Sequence, residues 1–369
     1  MECSEMQELY VNEWSSALIK RLEGRRYPLS GIIELTDRCN FNCVHCYINK
    51  SAGDKQALAS ELTTEQYKWL IDQLVEAGTL FITMTGGEVF IRPDFIEIYN
   101  YARRKGLLVT IFTNGSMITP QIVEELAALP PELVEITLYG ATRETYEKVT
   151  RVPGSFERCM KGINLLLEKG IKTNLKTMVI DINLHEYEAI RSIAQQLGVD
   201  FRHDAILWPR LDHDSKNIEH QIPMEDVLRL EYLTEEHKAE WRKIEESFSG
   251  EASRAVNVFS CGIGRLSFVI DSKGYMSGCV MYRHVTHNIF DLGFMEAWNR
   301  LGAIRDLKRQ KVTICQTCTL GGLCHQCPAW SQAVHGDDET PIEFLCELAH
   351  KRSEILKKEY NLNIIQEEL

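Results

Sequence analysis

A chain of 369 residues, 44% hydrophobic, has room for two or three domains and an ordinary globular core. Its formal net charge of −12 argues against nucleic acid as a partner bound by phosphate neutralisation. No apolar run reaches the roughly 18–20 residues needed to cross a bilayer, so no membrane partner is expected. The opening residues carry Glu, Lys and Arg throughout and lack a signal-peptide core, which predicts a cytoplasmic protein. In a reducing compartment, twelve cysteines read as metal ligands rather than as a disulfide framework.

In chain order, residues 1–30 read as a polar helical lead, with Tyr10, Trp14, Leu18 and Leu22 at helical spacing. Cys3 is read as incidental. Residues 31–207 alternate short apolar runs with helical patterns. Strands are predicted at Gly31–Leu35, Leu80–Met84, Leu107–Phe112, Val134–Leu138, Ile171–Ile180 and Phe201–Leu207. Helices are predicted at Thr63–Glu76, Asp94–Lys105, Pro120–Leu129, Ser155–Lys169 and His185–Leu197. This α/β alternation implies a parallel sheet with right-handed crossovers. Six units are too few for an eight-fold barrel and suit a partial (β/α)6 barrel, with its chemistry at the C-terminal ends of the strands.

Residues 208–260 read as a linker region. Met224–Phe248 is a charge-rich helical stretch read as a solvated bridge. Residues 261–369 form a small cysteine-rich α+β region, with a hairpin over Ser272-Lys273-Gly274 and a helix at Phe294–Leu307. Cys159, inside a predicted helix, reads as a buried apolar filler.

Two cysteine fields carry the chemistry. Thr36–Lys50 follows the first strand and holds Cys39, Cys43 and Cys46 as C-x3-C-x2-C. Three thiolates within one loop can converge on a soft metal centre but leave a tetrahedral zinc site incomplete. A zinc knuckle with a distant ligand, or unrelated thiols, is the bland alternative. The second field is Cys261, Cys279, Cys315, Cys318, Cys324, Cys327 and Cys346. Seven thiols exceed one tetrahedral site, and zinc ribbons are its alternative.

The first field resembles the signature of the radical S-adenosylmethionine enzymes. The resemblance implies a [4Fe-4S] cluster on Cys39, Cys43 and Cys46, with an open iron that binds S-adenosylmethionine. Reductive cleavage then yields a 5′-deoxyadenosyl radical that takes hydrogen from substrate. It implies further cofactor contacts at the ends of later strands: Gly86, Gly87 and Glu88 toward the amino group, the turn at Asn114, and Thr137 against the ribose. Lys176 on the fifth strand and Arg202 and His203 on the sixth are polar groups at strand ends that suit a carboxylate or ribose, with a plain surface charge as the alternative for each. The position before the last cysteine, here His45, would lie near the adenine, with Tyr47 just beyond that cysteine. The second field resembles the SPASM domain of peptide-modifying relatives, one residue short at Cys324-His325-Gln326-Cys327. The resemblance assigns Cys315, Cys318, Cys324 and Cys346 to a distal auxiliary iron–sulfur cluster. It assigns Cys261, Cys279 and Cys327 to a proximal one, which then lacks a fourth cysteine. His284, His287 and His325 are nearby and read as structural.

The implied activity is hydrogen abstraction from a ribosomally synthesised peptide or protein side chain, served by a low-potential donor such as flavodoxin or ferredoxin. A tetrapyrrole or other cofactor precursor is the alternative substrate. A non-catalytic zinc-binding protein is the alternative of another class. No residue of the sequence stands out as the general base.

Overall fold

The computed structural model describes residues 17–48, 50–212, 214–233, 238–239, 241–244 and 256–367, with side chains to residue 358. Tyr10, Trp14 and Cys3 lie outside the described residues, as does much of the charged stretch after residue 233.

Six parallel strands run in chain order across one sheet: β1 (Ser30–Thr36), β2 (Phe81–Gly86), β3 (Leu108–Thr113), β4 (Leu133–Thr137), β5 (Thr173–Met178) and β6 (Phe201–Asp204). Their apolar residues are buried against helices on the outside, as a parallel sheet requires. The flanking helices are α1 (Lys55–Ser60), α2 (Thr64–Glu76), α3 (Phe95–Arg104), α4 (Pro120–Ala128), α5 (Arg143–Thr150), α6 (Ser155–Glu168) and α7 (Tyr187–Leu197). Local chemistry sets their starts. Thr63 caps α2 in a reciprocal box with Gln66, and Pro120 opens α4 behind Thr119. Helices α1 and α5 were not among the predicted elements.

The C-terminal region is not hung on a separate sheet. Strand β7 (Ser267–Ile270) pairs in parallel with β1, and β8 (Tyr275–Ser277) and β9 (His287–Asn288) extend that edge. Gly31 makes this possible. A Cβ there would stand 2.4 Å from the Phe268 ring, which packs flat against β1. The turn over Ser272–Gly274 is the predicted hairpin, with Gly274 at φ +86°. Helices α9 (Phe294–Leu301), α10 (Pro328–His335) and α11 (Glu343–Glu367) complete the region.

The bridging stretch differs from the solvated helix expected of it. Within it, α8 (Met224–Glu231) buries Val227, Leu228 and Leu230. The buried Arg352 of α11 clasps Glu231 through Nε at 2.9 Å and Nη2 at 2.5 Å. This one pair therefore ties two elements together, while Glu225 and Arg229 of α8 face water.

Candidate functional site

The cysteine loop leaves β1 at the C-terminal end of the sheet. It is stitched there by the turn after β2. Gly87 N–H donates to Thr36 O at 2.7 Å and Glu88 N–H to Arg38 O at 2.9 Å. A Cβ on Gly86 would stand 2.2 Å from Thr36 O, and one on Gly87 2.1 Å from Arg38 O. Gly86 also has φ +137°, a conformation that disfavours any side chain. The glycine pair thus lets two backbones touch, which locks the thiol loop to its neighbour strand.

A cavity of about 290 Å³ opens at this end. Cys39, Cys43 and Cys46 line it, together with Gly86, Gly87, Asn114, Thr137 and Lys176. Sequence reasoning did not single out Asp37 or Phe112, which also line it; only their position at strand ends would have marked them. Asn114 Nδ2 donates to Asn40 Oδ1 at 2.9 Å, so its amide braces the loop as well as facing the cavity. Lys176 reaches Glu135 at 2.9 Å and lies 3.4 Å from the centroid of the Phe112 ring. Burial lowers its pKa, against the opposing pull of Glu135.

Two expected cofactor contacts are placed elsewhere. Glu88 is fully buried and does not line the cavity. Its carboxylate accepts from Thr113 Oγ1 and Asn114 N, both at 2.7 Å, and from Phe90 N at 3.1 Å. Oε1 takes Thr113 and Phe90 and Oε2 takes Asn114, so the carboxylate braces the turn after β3 from beneath the cavity. Arg202 is also outside the cavity. It forks onto Glu135 at 2.6 and 2.7 Å from the solvent side. Lys176 and Arg202 together neutralise that buried carboxylate, holding its pKa below the ordinary range against the effect of burial.

The residues fit the implied cofactor. His45 Nδ1 is buried with no hydrogen-bond partner and its ring lies 4.9 Å from Tyr139, both in the cavity wall. An orphaned ring nitrogen beside an aromatic face suits a purine. Burial pushes the Cys39 thiol up to about 12 and Cys43 well above the ordinary value. Metal binding must therefore displace these protons. The neighbouring thiols add to the rise, Cys46 at Cys39 and both Cys46 and Cys39 at Cys43.

The second field divides in two. Cys327 feels the charges of Cys279 and Cys261, and Cys324 those of Cys346, Cys315 and Cys318. Burial raises Cys324 and Cys327 to about 11. Among the described residues, no three His, Cys, Asp or Glu side chains close in tightly enough for a single metal ion. A second cavity, of about 230 Å³, lies between Trp208–Leu211 and Met281–His284. It adjoins the first, because Leu211 N–H donates to Tyr47 O at 3.1 Å.

An open parallel sheet with a three-thiol loop and a glycine turn at its mouth defines a class of cluster-dependent enzymes. Residues 33–193 match the radical SAM superfamily, and residues 261–328 match SPASM, an iron–sulfur cluster-binding domain. The chain is 30% identical over 325 residues to an AdoMet-dependent heme synthase of Methanosarcina barkeri, covering 82% of this chain and 92% of that one. It is 28% identical over 313 residues to the mycofactocin maturase MftC of Mycobacterium tuberculosis, covering 82% and 78%. In fold it resembles Streptococcus suis SuiB bound to precursor peptide SuiA, with TM-score 0.69, 17% identity and coverage of 94% and 84%. The chain belongs to the radical SAM superfamily and is an enzyme of its SPASM-bearing branch. That membership overturns the non-catalytic zinc protein. Such an enzyme carries a [4Fe-4S] cluster with S-adenosylmethionine and auxiliary iron–sulfur chemistry. No helix of the described residues is long and apolar enough to cross a membrane.

Proposed function

We propose that this enzyme modifies a ribosomally synthesised peptide or protein side chain at an unactivated C–H position. When bound, the cluster and S-adenosylmethionine supply a 5′-deoxyadenosyl radical for hydrogen abstraction. The cavity of about 230 Å³ beside the thiol loop carries this reading. Trp208, Met281, Tyr282 and Ala329 give it an apolar wall, and Arg210, Arg283, His284 and Gln332 give it polar edges. The cleft lies beside the cofactor cavity, with Leu211 of its wall bonded to Tyr47 of the other, and its mixed apolar and polar lining suits a peptide. The named peptide maturase MftC, similar over 82% of this chain, supports the same substrate class.

Cys39, Cys43 and Cys46 hold the catalytic cluster in this account. Cys261, Cys279 and Cys327 hold a proximal auxiliary cluster, and Cys315, Cys318, Cys324 and Cys346 a distal one. A low-potential flavodoxin or ferredoxin supplies electrons, in the cytoplasm. Gly86, Gly87, Asn114, Thr137 and Lys176 shape the cofactor cavity.

A tetrapyrrole substrate is the second reading, favoured by the 30% identity to a heme synthase. Both are tested together. Anaerobically reconstituted full chain is reduced and given S-adenosylmethionine. It is then offered either peptides from short reading frames flanking its gene or an iron porphyrin bearing propionates. The expected result is a cofactor-dependent mass change in a peptide. Conversion of the porphyrin alone would replace this reading with the second.

A further inference from the structure

We propose that the surface formed by Val256, Leu307, Val312 and Ile314 docks an acidic one-electron carrier protein. The inference rests on the reading of Cys315, Cys318, Cys324 and Cys346 as ligands of the distal cluster.

These four apolar side chains are 63%, 38%, 93% and 71% exposed. Arg309 N–H donates to Val256 O at 2.9 Å and Val258 N–H to Leu307 O at 2.8 Å, which pairs the two segments, and Val312 and Ile314 follow on the same stretch of chain. The patch is basic in a protein that is not. From Leu307 to Gly336 the chain carries Lys308, Arg309 and Lys311 and no Asp or Glu, against a whole-chain charge of −12. Lys308 donates to the neutral amide of Asn257. Among the described residues, neither Lys308 nor Arg309 has a carboxylate partner in an ion pair. Lys311 is held by Asp337 at 2.9 Å, and Glu339 accepts from Gln310 N at 2.9 Å and Lys311 N at 3.1 Å, so the uncompensated positive charge is that of Lys308 and Arg309.

Position gives the patch a purpose. Ile314 and Arg309 also line a cavity of about 140 Å³ whose other walls include Cys315, Cys318, Cys324 and Cys346. A partner seated on Val312 and Ile314 is therefore at the distal thiols. None of Val256, Leu307, Val312 or Ile314 lines the cofactor cavity or the adjoining cleft, so substrate has no call on them. Encounters that pass electrons use small interfaces that release quickly. An apolar centre rimmed by charge suits them, because opposite charge steers the approach without fixing it. Docking itself makes and breaks no bond.

The test uses reconstituted full chain and an acidic recombinant flavodoxin, with binding measured by calorimetry. Iron and sulfide are measured on every sample. Binding should weaken as ionic strength rises from about 50 to about 300 mM. The Lys308→Glu/Arg309→Glu variant, and separately Val312→Glu, should each bind about tenfold or more weakly with iron unchanged. Lys161→Glu, on the exposed face of α6, should bind as the wild type does. Equal binding by all variants, or binding indifferent to salt, would overturn the proposal. So would self-association of the wild type that Val312→Glu abolishes, since the patch would then be a contact between copies. Iron short by one cluster's worth in the unaltered chain would instead sink the distal-cluster reading, whatever the binding result.

Discussion

Arg283 Nη2 lies 2.6 and 2.8 Å from the two carboxylate oxygens of Glu34, a fully buried residue in the middle of β1. The arginine comes from the loop just beyond Cys279, so this pair joins the auxiliary region to the barrel. Burial raises the Glu34 pKa, and the arginine opposes that rise. Removing the cation strands a buried charge. Arg283→Leu should cost about 3–5 kcal/mol, read as a shift in denaturant midpoint. The loss should depend on pH. With its folded pKa raised above the ordinary 4.5, Glu34 binds its proton more tightly folded than unfolded. The contribution of Glu34 to stability is then fully present below about 4.5 and is lost as pH climbs through the raised value, more so without the arginine. A variant whose deficit shrinks from pH 5 to pH 8 would contradict this.

Glu88 presents only acceptors to three donors. Glu88→Gln would turn an amide N–H₂ toward either Asn114 N–H or the Thr113 hydroxyl and Phe90 N–H. The expected cost is about 1–3 kcal/mol of stability. Weaker S-adenosylmethionine binding should follow through displacement of Asn114. Thermal melts without cofactor separate this from direct contact. If the variant melts like the wild type but binds cofactor poorly, Glu88 touches the ligand after all.

The glycine turn offers a sharper steric case. Gly87→Ala would drive a Cβ to 2.1 Å from Arg38 O. Since that neighbour is backbone, the thiol loop itself must move, at about 1–3 kcal/mol. Reconstituted Gly87→Ala should hold less iron at the first cluster, visible as a reduced electron-paramagnetic signal in the dithionite-reduced state. An undiminished signal would mean that the loop tolerates the shift.

Gln326 sits in the shortened spacing between Cys324 and Cys327. Its Nε2 donates to Cys346 Sγ at 3.1 Å and to Ile342 O at 2.7 Å, and its Oε1 accepts from Ile342 N at 2.9 Å. A donor on a ligand sulfur favours the more negative, reduced cluster. Gln326→Leu should lower the distal midpoint potential by roughly 40 mV. That is about 1 kcal/mol for one electron. Redox titration reads this directly, and an unmoved potential would leave Gln326 a purely structural strut.

Much of the barrel was legible because short apolar runs separated by capped helices have few other solutions. Helix α5 was missed because its sequence is mostly charged. Tyr146 and Val149 are its large apolar residues buried toward the core. Helix α11 carries no capping signal that marks its start, although Leu345, Leu348 and Leu356 lie buried along it at helical spacing. The pairing of β7 with β1 joins residues far apart in sequence, and nothing local encodes that register. Cys159 is the buried filler that was expected, in the core on α6. For Glu88 and Arg202 the sequence supplied a charged residue at a strand end but not its direction. Glu88 turns under the site and Arg202 turns outward to Glu135.

The central claim is that the three thiols of the β1 loop hold the catalytic cluster while the other seven serve separate auxiliary centres. Cys39, Cys43 and Cys46 are replaced together by Ala in the full chain, which is then reconstituted anaerobically. Iron and 5′-deoxyadenosine formation from S-adenosylmethionine are measured against wild type. The account predicts a fall from roughly twelve irons to roughly eight, at four per cluster, with no 5′-deoxyadenosine formed. Continued 5′-deoxyadenosine formation at the wild-type rate, or loss of all iron together, would contradict it.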